Sequence, residues 1–220
     1  FEEIKQRIEE GRWIIAGGLW VQPDCNMPSG EAFARHMLYS QRYYKEKFGR
    51  ICSFGYNVDS FGHNGMLPQL LTLGGMDSYV MMRPDKGENP GLPTGLFRWQ
   101  SPDGSVVTTF RLPFGYGDCS LHDFDGAEER GLDKYEAKAF ASQAIADTIG
   151  FPMMSFYGVG NHGGGPTVRN LRSLDKLVAA NPDAFCFSGP DGYFDFVRKT
   201  VEDAVVPVVN GDLQHHASGC

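Results

Sequence analysis

The feature that most constrains the fold is an alternation that runs the length of the chain. Short apolar, β-branched or aromatic runs take turns with amphipathic stretches of helical period. The opening FEEIKQRIEEG reads as a helix already under way. Residues 13–20 (WIIAGGLW) read as a buried strand, ended by the turn chemistry of Pro23-Asp24. From 29 to 48, Phe33, Met37, Tyr44 and Phe48 share one helical face, and Gly49 stops the helix. The pattern then predicts strands at 51–56, 78–82, 105–112, 153–159 and 184–188. It predicts helices at 66–73, 132–149, 166–180 (with Pro166 in the first turn) and 192–201. Such alternation indicates an α/β domain built around a mainly parallel sheet or barrel. With no internal repeat and no Pro/Ser-rich linker, residues 1–220 read as part of one domain.

Composition narrows the function classes. A chain of 220 residues can bury roughly 70% or more of its unfolded surface, and 41% hydrophobic residues suit a globular core. Lys plus Arg is 20 against 27 for Asp plus Glu, a formal net charge of −7. That balance gives no general attraction for nucleic acid or anionic membrane. No apolar run approaches the roughly 18 residues of a spanning helix. The five cysteines, Cys25, Cys52, Cys119, Cys186 and Cys220, form no C-x-x-C pair. Their scatter fits buried free thiols in a reducing, cytoplasmic setting. The sequence starts without Met and closes at Cys220, shortly after a His pair, so it reads as a piece of a longer chain, truncated at both ends.

In parallel α/β folds the loops after the strands build the site. Here those loops carry Asp24; then Asp59 and His63 in NVDSFGHNG; Arg83 and Asp85 in MMRPDKG; Tyr116 and Asp118 in LPFGYGDCS; Asn161 and His162 in YGVGNHGGGPT; and His215 and His216 in DLQHHASGC. Four of the six histidines stand in them, beside carboxylates, an Arg and glycine-rich backbone. This is the donor set of a polar site able to hold a metal. Asp59 is equally suited to capping a following helix. Adjacent His215 and His216 in an extended segment point opposite ways, so one of the two at most faces a given metal. The Gly163-Gly164-Gly165 run matches neither phosphate-binding glycine motif and reads as a tight turn into a helix.

The strings GGLWVQPDCNMPSGE, YNVDSFGHNGMLPQLL, LPFGYGD, YGVGNHGGGPT and QHHASGC, in this order, resemble glycoside hydrolase family 38, the zinc-dependent retaining α-mannosidases. The likeness is greatest to the bacterial type, some of whose members act on mannosyl-glycerate. It implies an incomplete (β/α) seven-stranded-type barrel whose first strand is missing. The same resemblance implies hydrolysis of terminal α-mannosyl linkages through a covalent mannosyl-Asp intermediate.

Carried over by position, Asp59 would be nucleophile and zinc ligand. His216 would be a second zinc ligand, with His215 the alternative. Two further ligands belong to a His-x-Asp motif that would lie upstream of Phe1, so the 220 residues alone are expected to be inactive. Phe61, Arg83, Tyr116 and Asp118 would contact the sugar. The family's acid/base Asp is replaced by Asn161-His162, which makes His162 the candidate proton donor and Asp118 the fallback; a carboxylate such as Asp118 beside it would raise the pKa of His162. The expected partner is an α-mannoside oligosaccharide or a mannosyl-glycerate-like small molecule, with no nucleic acid or membrane, and self-association is left open. Two other readings carry different chemistry: a mannoside-binding relative impaired in catalysis, motivated by Asn161, and a metal-dependent polysaccharide deacetylase.

Overall fold

A computed structural model describes residues 1–117, 119–160 and 164–214. Local sequence rules account for its best-formed helix. In α2 (Gly30–Phe48) the Ser29 hydroxyl accepts from the Ala32 N–H at 3.3 Å, and Gly49 closes the helix at φ +70°. Phe33 and Met37 on its inner face are buried. The described residues fall into two compact units, Phe1–Arg111 with Gly189–Cys220, and Leu112–Ser188.

The first unit holds α1 (Glu2–Glu9), α2, β1 (Phe54–Tyr56), α3 (Leu67–Leu73), β2 (Ser78–Met81), β3 (Gly95–Gln100), β4 (Val106–Arg111), a late helix, Pro190–Thr200, and a last strand, Val208–Asn210. With α4 (Lys134–Ile149) and α5 (Val168–Ala180) in the second unit, the late helix is α6 and the last strand β5. The sheet order is β1-β2-β4-β3-β5. The pairs β1/β2, β2/β4 and β3/β5 are parallel, whereas β3/β4 is an antiparallel hairpin.

Strands covered on both faces are expected to be rich in apolar residues, and the central ones bury a nearly continuous apolar set. Tyr79, Val80, Met81, Phe97, Trp99, Val107 and Phe110 are fully buried. Phe33, Met37, Leu67 and Leu71 join Tyr79, Met81, Phe97 and Trp99 in one core. Helix α6 sets Tyr193 against Phe110 and Phe194 against Phe54, with ring centroids at 5.1 and 6.3 Å. In the second unit α4 starts from a capping box of Asp133 and Glu136. It packs on α5 through Tyr135, Ala139, Leu174 and Leu177.

The mixed α/β class and the mostly parallel sheet agree with the sequence pattern. Several elements do not. Residues 13–20 form no strand; Gly17 and Gly18 take φ values of +98° and +62°, and the segment pairs with the sheet only as an isolated Gly17–Gly55 bridge. Trp13 and Trp20 are more than half exposed. Residues 153–159 and 184–188 are not strands either, because no neighbouring strand pairs with them among the described residues. Pro166 stands just outside α5, whose cap is Thr167. The strand β3 went unpredicted, although Ser-Pro-Asp-Gly at 101–104 is a turn signal. In the structure Gly104 takes φ +90°, and its N–H donates to the Ser101 carbonyl at 2.9 Å.

Close packing at β1 generates a test. A Cβ at Gly55 would stand 2.7 Å from Tyr79 Cδ2 and 3.0 Å from Leu71 Cδ2, both on buried side chains. Gly55→Ala should therefore cost about 1–3 kcal/mol of stability, the usual cost of overpacking, read as a lowered urea midpoint at unchanged m-value.

Candidate active site

Because β1 and β2 are parallel neighbours, the residues that follow them emerge at the same edge of the sheet. Asp59 leaves β1 after Tyr56, and Arg83 leaves β2 after Met81. There the Arg83 Nε–H donates to Asp59 Oδ1 at 3.2 Å, while Nη1 donates to Glu88 Oε1 at 3.2 Å. The guanidinium also lies 5.1 Å from the centroid of the Phe61 ring. The Asp59 side chain keeps 45% of its surface open, against 29% for Arg83 and 20% for Glu88. A half-exposed ion pair contributes little to stability; its consequence is orientation. Burial pulls the Arg83 pKa down, yet the facing carboxylates of Asp59 and Glu88 raise it overall.

His63 fixes this arrangement from below. It is fully buried, and its Nε2 lies 2.9 Å from the Arg83 carbonyl oxygen. A carbonyl only accepts, so Nε2 carries the proton, and Nδ1, 2.9 Å away, accepts from the Tyr79 hydroxyl. The His63 backbone exchanges two hydrogen bonds with Leu213 (2.8 and 2.9 Å) and bridges to Cys25. The segments that follow residues 13–20, β1, β2 and β5 thus meet at one imidazole. Burial pushes its pKa down to about 4, against the opposing effects of the Arg83 carbonyl and of Asp24. His63 is therefore neutral at pH 7.

Further polar contacts lace the same segments. Asn57 donates to the Pro23 carbonyl at 2.9 Å and to Cys25 Sγ at 3.2 Å. Gln214 Nε2 donates to Asn26 Oδ1 at 2.6 Å, and Asn26 Nδ2 donates back to Gln214 Oε1 at 3.3 Å. Gly62 takes φ +105°, and a Cβ there would stand 2.1 Å from Gln214 Oε1, so any other residue would be strained at this φ and would push the Gln214 amide out of that pair. The thiol of Cys25 is raised by burial, which suits an inert buried group.

Of the residues singled out from the sequence, Asp59, Phe61 and Arg83 come together in the first unit. Tyr116 is half-buried in the second. Asp118, Asn161, His162, His215 and His216 lie outside the described residues. Among the described residues no group of three or more His, Cys, Asp or Glu could hold a metal, and no helix is long and apolar enough to cross a membrane. The sequence reading missed Glu88, whose signal was an acid five residues after Arg83. It also missed the structural work of His63, which no spacing rule reveals.

Residues 1–216 match the N-terminal domain of glycosyl hydrolases family 38. The chain belongs to this family. Alpha-mannosidase G of Dictyostelium discoideum is 29% identical over 202 residues, which are 88% of this chain and 17% of that protein. An alpha-mannosidase of Saccharomyces cerevisiae is 28% identical over 215 residues, 94% of this chain and 19% of that protein. This family 38 chain therefore spans less than a fifth of the length of these relatives. Its fold resembles that of an alpha-mannosidase from Enterococcus faecalis V583, with a TM-score of 0.70 at 22% identity over 96% of this chain and 23% of the other.

The His63 network generates a pH test. Its folded pKa of about 4 lies below the ordinary value of 6.5, so protonating it opposes folding. The stability it supports is complete above about pH 6.5 and is lost as pH falls toward 4; the size is on the order of 3 kcal/mol. The difference in thermal midpoint between the wild type and His63→Gln should shrink across that window. An unchanged difference from pH 7 to pH 4 would contradict the assignment.

Proposed function

We propose that this chain is part of a retaining, zinc-dependent α-mannosidase in which Asp59 is the nucleophile. The observation that carries the reading is the Asp59 carboxylate itself, solvent-open and oriented by Arg83 at a sheet edge of a family 38 domain. We also infer that the five strands belong to a (β/α) seven-stranded-type barrel.

In this reading Asp59 attacks the anomeric carbon of a terminal α-mannosyl unit as the bond to the leaving oxygen breaks. Arg83 holds Oδ1 through its Nε–H, and Glu88 holds Arg83, so the carboxylate is kept in a fixed orientation. Phe61 lines the pocket under the guanidinium. Tyr116 and Asp118 bind sugar hydroxyls. His162 delivers the proton to the leaving oxygen and then takes one from the water that hydrolyses the mannosyl-Asp ester, with Asp118 as the fallback.

The donor chemistry fits zinc in kind, since Asp59 offers a half-exposed carboxylate oxygen. His216, or His215, would join it, with further ligands from a His-x-Asp motif that the sequence does not contain. Zinc, when bound, would supply a Lewis-acid contact to sugar hydroxyls. The substrate is an α-mannoside oligosaccharide or a mannosyl-glycerate-like small molecule.

The test is hydrolysis of 4-nitrophenyl α-mannoside by the complete gene product. Activity should fall with a chelator and return with zinc. Asp59→Asn should lower kcat on the order of 10⁴-fold or more. Wild-type turnover by Asp59→Asn would refute the nucleophile assignment, and turnover indifferent to chelation would refute the metal.

A further inference from the structure

The second unit buries a cationic side chain. Lys138, on α4, has 1% of its surface exposed. A buried ammonium loses its hydration and needs acceptors for three N–H groups. Its Nζ donates to the Gly115 carbonyl and, at 3.3 Å, to the Gly117 carbonyl. Those two carbonyls stand on either side of Tyr116. One turn earlier on the same helix face, the buried Tyr135 hydroxyl donates to the Gly158 carbonyl at 2.6 Å. The two loops also meet each other: a Cβ at Gly117 would stand 2.9 Å from Gly160 Cα. Gly160 and Gly164 exchange backbone hydrogen bonds at 3.1 and 3.2 Å, closing the second loop beside that contact.

We propose that Lys138, with Tyr135, is a positioning residue: one turn of α4 clamps residues 115–117 against 158–160 and so sets the direction of Tyr116 toward the sugar. The proposal rests on the mannosidase reading of Tyr116. It adds to that reading the group that aims the contact. A purely space-filling role would be served as well by Met, which has a similar length and no charge to desolvate. The two carbonyls flanking a single residue are what an ammonium supplies and a thioether does not.

The test compares Lys138→Met, Lys138→Arg, Tyr116→Phe and the Lys138→Met/Tyr116→Phe double variant in the complete gene product. Lys138→Met should lose about 10²-fold in kcat/KM on 4-nitrophenyl α-mannoside, mainly through KM, as expected when a substrate contact is misplaced. Amide hydrogen exchange at 115–117 and 158–160 should quicken about tenfold or more. Lys138→Arg, which keeps the charge in a different geometry, should fall between the two in both readouts. Tyr116→Phe should cost less in the Lys138→Met background than alone. Wild-type exchange in those loops, or strictly additive losses, would overturn the proposal. Should Lys138→Met fail to fold, Lys138→Arg decides alone, and wild-type exchange and KM there would overturn it. If the wild type hydrolyses no mannoside, the mannosidase reading falls, while the exchange measurement still decides whether Lys138 clamps the loops.

Discussion

A neutral imidazole with no access to water organises the edge of the sheet. His63 has one nitrogen on the Arg83 carbonyl and the other on the Tyr79 hydroxyl, with its own backbone paired to Leu213 and bridged to Cys25. Each of these bonds replaces one that water would otherwise make, and in a dry interior an unmade bond is expensive. The Asp59 loop, the Arg83 loop and the segment ending at Gln214 therefore cannot move independently. Protonation would oppose the arrangement, because Nδ1 could no longer accept from the Tyr79 hydroxyl and a charge would enter an apolar core.

On that base the chemistry is thin and exposed. Arg83 contributes its carbonyl to His63 and its guanidinium to Asp59 and Glu88. The same residue thus links the buried network to the open carboxylate. This division, a rigid polar lattice beneath and one half-exposed acid above, is what preorganisation would require of the proposed nucleophile: a carboxylate oriented before substrate arrives. The second unit repeats the device with different parts, Lys138 and Tyr135 in place of His63 and Arg83.

Much of this was legible in the sequence, and the failures have physical causes. The helices α2 and α4 announce themselves through Ser29 and Gly49, and through Asp133, Glu136 and Gly150, because caps are local chemistry. Asp59 and Arg83 were legible as residues of loops after successive strands, whereas their ion pair appears only in the structure. The run at 13–20 misled because apolar content says nothing about pairing, and Gly17-Gly18 turn the chain away. The hairpin strand β3 was hidden by Arg98 and Gln100, polar residues in a strand whose Phe97 and Trp99 fill the core. His63 looked like one more loop histidine; its burial depends on Tyr79, Trp99 and Leu213, which are distant in sequence. Glu88 and Lys138 escaped notice for the same reason, since their partners are set by tertiary structure.

The claim at the centre of this account is that Asp59 forms a bond to the sugar. The most direct measurement is to trap the complete gene product with a fluorinated mannosyl fluoride, which forms the glycosyl intermediate readily and releases it slowly. Proteolysis and mass spectrometry of the trapped protein then locate the added sugar. The account predicts a single mannosyl adduct on the peptide containing Asp59, with fragment masses placing it on that carboxylate. A label on another carboxylate, or turnover of the reagent with no adduct at any time, would contradict it.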